Sequence, residues 1–207
     1  MIANVPRAGR AFAGLARYLV EGRAGRPASK GRVAWTKAFN LMTDDAVMAA
    51  KIMTATARLS KRCERPVYHL IVSWHVDERP LRAQMETVAT ATLGDLGLAG
   101  HQVLIVAHKD RTNPHMHLVI NRVHPETGVA WTASHDYRRI ERSVFRQAKA
   151  LGFRAVPGRH NGPDAGPRQE SRRRAPTKGA VHLSRKRRLA AAPVPAPAQQ
   201  TEPEPQA

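Results

Sequence analysis

The sequence predicts an α+β domain, an antiparallel β-sheet with helices packed on it, followed by a disordered basic tail. Three observations carry that reading. Apolar residues alternate between helical and strand spacing through residues 1–155. Two of the apolar strands are joined by a link short enough for a hairpin. The composition then changes abruptly after Phe153.

Phe12, Leu15, Ala16 and Leu19 recur at helical spacing and predict a helix over about Ala11–Glu21, with Gly25–Gly31 (GRPASKG) as the loop behind it. Thr43 followed by Asp44 and Asp45 reads as a helix start, because a side-chain oxygen can cap free N–H groups and first-turn acids suit the dipole. Behind it Met48, Ile52, Ala55 and Leu59 predict one apolar stripe. Pro66 ends that element, and Val67–His75 (VYHLIVSWH) is a strand rich in β-branched and aromatic residues. Leu81, Met85, Val88, Thr92 and Leu96 share a helical face closed by Gly97–Gly100. Gln102–Ala107 (QVLIVA) and His115–Val123 (HMHLVINRV) are strands flanking Lys109–Pro114. Ile140, Val144, Ala148 and Leu151 define a last helix from about Asp136. The predicted order is α–α–β–α–β–β–α.

Residues 156–207 hold nine of the fifteen prolines and almost no aliphatic periodicity. Such a segment cannot bury enough apolar surface to offset the entropy of ordering it. It carries ten Lys/Arg against four acids, so +6 of the formal charge of +18 lies there and +12 on residues 1–155. The domain is therefore basic in its own right, which points to a polyanionic partner, nucleic acid first. The tail's clusters Arg172–Arg174 and Arg185–Arg188 read equally as solvated charge or as a phosphate-binding arm.

Apolar runs are only a few residues long, far short of the ~20 that span a bilayer, and charged residues interrupt the N-terminus from Arg7 to Arg23. Cys63 alone makes neither an internal disulfide nor a cysteine zinc module. A soluble, cytoplasmic protein with no membrane insertion is expected.

Chemistry concentrates in one stretch, His108-Lys-Asp110-Arg-Thr-Asn113-Pro114-His115-Met-His117, with Asn121 four residues further on. On a strand His115 and His117 project from one face, ~6.5–7 Å apart along the chain. Two imidazoles at that spacing can converge on one cation, and His108, closing the neighbouring strand, can supply a third ligand. Asp110 is placed to orient a ligand imidazole or to act as a base. Imidazole alone does not choose among zinc, manganese and magnesium. The other seven histidines carry no such spacing. In a basic protein the natural anion for that cation is a phosphodiester, and transfer then needs water or a side-chain hydroxyl as nucleophile. The three tyrosines, Tyr18, Tyr68 and Tyr137, all remain open at this point, as core aromatics or as nucleophiles.

HKDRTNPHMHLVINRVHPETG (108–128) resembles the third motif of the relaxase and mobilisation nuclease family, a histidine, an acid and a close HxH before an Asn-Arg and a Pro-x-Thr-Gly turn. PVYHLIVSWHVDERP (66–80) is similar to the strand of the second motif, with Ser73 as its serine. FAGLARYLVEG (12–22) resembles the first motif, whose tyrosine would be Tyr18, and Asn40 and Thr43-Asp44-Asp45 also match. The likeness covers about residues 10–155.

That resemblance implies a histidine-hydrophobe-histidine endonuclease fold. It also implies nicking of one strand at a plasmid origin of transfer through a 5′-phosphotyrosyl link, which begins conjugative transfer or mobilisation. Tyr18 would be the nucleophile, supported by Arg17. His108, His115 and His117 would hold Mg²⁺ or Mn²⁺, with Asp110 supporting them. Ser73, Arg17, Asn121 and Arg122 would lie along the DNA path, Asn121 also steadying its strand. Trp35, Trp74 and Trp131 are either core residues or base-stacking platforms. The implied partners are single-stranded or extruded origin DNA, accessory relaxosome proteins and a coupling protein. Asn113 departs from the family, where another histidine is frequent, and the helicase, primase or coupling regions of longer relatives have no counterpart in these 207 residues. A compact enzyme, a truncated product and a fragment all fit. Three other functions compete: a catalytically silent DNA-binding accessory of the same fold, a rolling-circle replication initiator, and a phosphodiesterase using water.

Overall fold

The computed structural model describes residues 1–23, 31–159 and 161; the expected loop at Gly25–Gly31 and the expected tail lie almost wholly outside them. The described chain runs β1 (Ile2–Asn4), α1 (Phe12–Glu21), β2 (Val33–Phe39), α2 (Ala46–Ala57), β3 (Val67–Ser73), α3 (Arg82–Leu96), β4 (Val103–His108), β5 (His115–Asn121) and α4 (Asp136–Ala150). The five strands form one antiparallel sheet in the order β1-β3-β5-β4-β2, so the expected α+β class holds. The expected hairpin is β4–β5, with His108 paired opposite His115.

Two strands are additions to the reading of the sequence. β1 has only three residues, too few for a visible alternation. β2 is an edge strand that is interrupted by a register shift between Val33 and Trp35, which breaks the period-2 pattern.

Each face of the sheet carries two helices. Tyr68, Leu70, Val72, Val103, Ile105, Met116, Leu118 and Ile120 pack against α3 and α4 through Met85, Val88, Leu96, Ile140, Val144 and Ala148. On the other face Val67, Leu104, Val106 and Val119 meet Phe12, Ala16 and Leu19 of α1 and Ala46, Ala49, Ala50 and Met53 of α2. Both sides of β4 and β5 are therefore buried.

The helix starts and stops follow local chemistry. Asp45 caps α2, its carboxylate accepting the Met48 N–H at 2.7 Å, and Gly97 ends α3 in the left-handed region at φ 72. Two expectations fail. Leu81 stands at the N-cap of α3 instead of on its buried face and is 68% exposed, because the helix begins only at Arg82. The buried face of α2 is Ala46, Ala49, Ala50 and Met53, while Met48 and Leu59 are 47% and 59% exposed. Alanine fits a tight helix–helix contact with α1 as well as it fits a surface, so the larger residues misled the assignment.

Candidate metal centre

Direct pairing across the ladder puts Ser73, His115 and His108 in one row, and Ile71, His117 and Val106 in the next. Opposite residues share a face, so all three predicted histidines and Ser73 project toward the α1/α2 side. There they meet: one nitrogen from each of His108, His115 and His117 lies within 4.8 Å of the others, and all three residues are buried. Their ring centroids are 4.6 to 5.3 Å apart.

The second nitrogen of each ring is engaged by protein. His108 Nε2 lies 2.8 Å from the carbonyl of Leu19 on α1 and can only donate to it. His115 Nδ1 lies 3.1 Å from the Asn113 carbonyl in the same relation. His117 Nδ1 is 2.9 Å from His69 Nε2. Two donors fixed in this way leave lone pairs on His108 Nδ1 and His115 Nε2. His108 Nδ1 is buried and has no hydrogen-bond partner among the described residues. An orphaned imidazole lone pair in a three-histidine cluster is what a divalent cation would satisfy, so the donor set fits the metal that the sequence implies.

Burial also keeps these rings neutral, as ligation requires. It pushes His108 down to about 4, with the Arg32 charge adding to the effect. His117 goes to about 2, through burial and then the neighbouring His108, His69 and His115. His115 is lowered by burial too, against a smaller opposing pull from its Asn113 hydrogen bond.

Asp110 borders the cluster. One carboxylate oxygen is 3.8 Å from His115 Nε2, and the other 3.0 Å from Arg32 Nε. That 3.0 Å contact is an ion pair without hydrogen-bond alignment, since Arg32 Nε has no hydrogen-bond partner among the described residues; Asp110 Oδ1, the oxygen facing His115, has none there either. The same Arg32 guanidinium lies 5.3 Å over the Tyr18 ring and donates to the Tyr18 carbonyl at 3.2 Å. A continuous set of contacts thus runs from Tyr18 through Arg32 and Asp110 to His115. The last turn of α1 is docked on the site by Arg32, at the Tyr18 carbonyl that also accepts the Gly22 N–H, and by His108 at the Leu19 carbonyl. Tyr18 itself is 43% exposed.

Several expected site residues fall elsewhere. Arg17 is exposed and pairs along α1 with Glu21 at 3.9 Å, so the guanidinium against Tyr18 belongs to Arg32. Asn121 is fully buried, donating to the Met53 carbonyl and to Gln102 Oε1 and accepting the Val123 N–H. Arg122 spends its guanidinium on the carbonyls of Trp131 and Arg65. These two residues brace the turn that Val123 and Ala130 close, with Gly128 at φ 66, rather than reach the cluster. Tyr68 and Tyr137 lie with α4 on the opposite side of the sheet; the Tyr68 hydroxyl donates to Asp136 at 2.5 Å, and burial raises its pKa. The three tryptophans also pack on that side. His69 and Arg32 are the residues the sequence reading missed. His69 was one of seven histidines without informative spacing, and only the β3–β5 register brings it to His117.

Comparison with known proteins identifies the family and the fold. A family model described as relaxase, MobA/VirD2-like, nuclease domain matches residues 20–153, which hold Ser73, Asp110 and the three histidines but begin two residues after Tyr18. Protein MobA of Acidithiobacillus ferrooxidans is 37% identical over 75 residues, covering 36% of this chain and 18% of that protein. Protein TraI of Escherichia coli is 29% identical over 129 residues, covering 62% of this chain and 17% of that one. The chain spans less than a fifth of the length of these relatives. Among solved structures, the Mn-bound MobM relaxase domain on plasmid pMV158 oriT DNA superposes with a TM-score of 0.52 at 16% identity, covering 88% of this chain and 97% of that one. A structure titled for the molecular basis of vancomycin resistance transfer in Staphylococcus aureus gives 0.50 at 12% identity, over 76% of this chain and all of that one. The likeness to these two is one of fold. The chain belongs to the MobA/VirD2-like relaxase nuclease-domain family.

Proposed function

Proceeding from that membership, we propose that the chain nicks one strand of an origin of transfer and holds the 5′ end as a phosphotyrosine on Tyr18. The observation that carries the reading is the docking of the Tyr18 helix onto the histidine cluster, by the Leu19 carbonyl on His108 and by Arg32 on Tyr18 and Asp110. His108, His115 and His117 would hold Mn²⁺ or Mg²⁺, which when bound neutralises a phosphate oxygen and stabilises charge growing in the transition state. The manganese and oriT DNA of the MobM structures support both the cofactor and the substrate class.

The chain's own residues do the rest. Tyr18 Oη attacks phosphorus as the P–O3′ bond breaks, and its proton ends on the released 3′-hydroxyl. One ester replaces another, so the nick can be resealed without ATP. Arg32 holds the tyrosine ring, and Asp110 ties Arg32 to His115. Ser73, which pairs with His115 across the ladder, would meet the DNA backbone. The substrate is single-stranded or extruded DNA, because the buried cluster is hard to reach from a duplex. Residues 1–155 would form the nuclease domain, and the basic residues of 156–207 an arm for phosphates outside the site. Accessory relaxosome proteins and a coupling protein complete the assembly in the cytoplasm. No helix among the described residues is long and apolar enough to cross a membrane.

Incubating the full chain and Mn²⁺ with single-stranded oligonucleotides spanning a candidate origin tests the reading. A denaturant-stable protein–DNA adduct whose linked peptide contains Tyr18 is the expected result. Cleavage with no adduct would replace it with the water-dependent phosphodiesterase.

A further inference from the structure

We propose that His69 is a positioning residue that fixes the ligating tautomer of His117, accepting the His117 Nδ1–H at its own Nε2. The inference rests on reading the triad as a metal centre. His69 lies on β3 two residues before Ile71, which pairs with His117, so it reaches its partner diagonally across the ladder. The two rings are stacked, with centroids 5.1 Å apart and planes at 27°, and the nitrogens are 2.9 Å apart. Both residues are buried.

One proton lies between two nitrogens, and its owner decides what His117 can do. If His117 Nδ1 carries it, His117 Nε2 is a free lone pair. If His69 Nε2 carries it, His117 Nδ1 is consumed as acceptor and the Nε2 of neutral His117 bears a hydrogen, which cannot ligate. The two companion ligands escape this ambiguity, because His108 and His115 face the carbonyls of Leu19 and Asn113, which only accept. Of the three, His117 is the one whose support among the described residues is a side chain, and so the one whose support a substitution can remove. Partners of this kind orient a ligand ring, and their loss typically weakens metal binding by ~10–100-fold.

The test uses the full metal-free chain labelled with ¹⁵N-histidine and, separately, Mn²⁺ titration of two variants. The expected spectrum shows His117 protonated at Nδ1, with a scalar coupling across the hydrogen bond to His69 Nε2. A proton residing on His69 Nε2 would overturn the proposal. His69→Leu should bind Mn²⁺ roughly 10–100-fold more weakly at an unchanged metal-free melting temperature. His69→Gln, whose Oε1 can still accept, should stay within about threefold of wild type, a rescue that a merely space-filling role would not give. Wild-type affinity in a folded His69→Leu variant would sink the idea. A wild-type chain that binds no Mn²⁺ yet shows the coupling would instead remove the metal reading and leave the tautomer assignment standing.

Discussion

The two faces of the β3–β5 pair are made of opposite materials. Toward α3 and α4 stand Tyr68, Leu70, Val72, Met116, Leu118 and Ile120, all buried and packed on further apolar side chains. Toward α1 and α2 the same two strands offer His69, Ser73, His115 and His117, and only Val67 and Val119 join the core there. Burying apolar surface stabilises a fold, whereas burying imidazoles unpaired costs free energy. The difference teaches that the first face supplies the stability that lets the second keep its polar groups dry and aimed. Changes on the two faces should therefore separate folding from chemistry.

The largest separation is expected at Tyr18. Tyr18→Phe removes one hydroxyl from a residue 43% exposed, so the melting temperature and DNA binding stay near wild type while the covalent adduct disappears. Tyr137→Phe, behind the sheet, should leave the adduct intact. An adduct that persists in Tyr18→Phe and vanishes in Tyr137→Phe would reverse the assignment of the faces.

Next comes the pair Leu118→Ala and His115→Ala, neighbours three residues apart on one strand with opposite roles. Leu118 is fully buried, so truncation should cost ~2–5 kcal/mol in denaturant unfolding, with Mn²⁺ affinity per folded molecule unchanged. His115→Ala should do the reverse, losing metal and nicking while the metal-free fold is as stable or more so. Loss of metal in both variants would mean that the faces are not energetically separate.

That division also explains what the sequence could and could not reveal. Strand and helix periodicity reports whether a residue is apolar and how it repeats, so the α3/α4 face was legible at Met85, Val88, Thr92, Leu96, Ile140, Val144 and Ala148, while Leu81, apolar and in phase, lies outside it at the N-cap of α3. The triad was legible for a related reason: HxH spacing places His115 and His117 on one face, and a short hairpin brings His108 opposite. His69 depends on the register of β3 against β5, and Arg32 on where β2 joins the sheet beside β4, neither of which local pattern encodes. Arg17 adjoins Tyr18 in sequence. On a helix, adjacent residues point ~100° apart, and Arg17 faces Glu21 instead. Resemblance and the adjacency of Arg17 favour Tyr18 among the tyrosines, and the docking of α1 on the histidine cluster supports the same proposal.

A smaller effect is expected from pH, and it should belong to the histidine face alone. Burial holds His69 and His108 down to about 4 and His117 to about 2, while the unfolded chain has ordinary histidines near 6.5. Between roughly pH 6.5 and 4 the unfolded state binds more protons, so stability falls as pH falls through that window and is complete above it. The metal-free melting temperature should drop accordingly, and Mn²⁺ affinity with it, because protons compete for the same lone pairs. Leu118→Ala should lower the whole curve without changing its slope, and His69→Leu should flatten it. An unchanged slope in His69→Leu would show that other groups carry the titration.

The smallest expected effect is at Arg32, and it tests whether the histidine face extends to the nucleophile. Arg32 and Asp110 are both largely shielded, with side chains 14% and 13% exposed, so removing the charge outright would leave Asp110 uncompensated and confuse folding with function. Arg32→Lys keeps the charge and the ion pair with Asp110. It lacks the planar fork that can lie over the Tyr18 ring, donate to the Tyr18 carbonyl and meet Asp110 at once. Stability and Mn²⁺ binding should therefore stay near wild type, while the first-order rate of adduct formation at saturating DNA falls by roughly tenfold, the cost of a nucleophile held less well. That corresponds to about 1.4 kcal/mol of transition-state free energy. Arg17→Lys, on the exposed side of α1, should leave the rate unchanged. If Arg17→Lys slowed the reaction and Arg32→Lys did not, DNA binding would turn α1 so that its sequence neighbour, not its spatial one, supports the tyrosine.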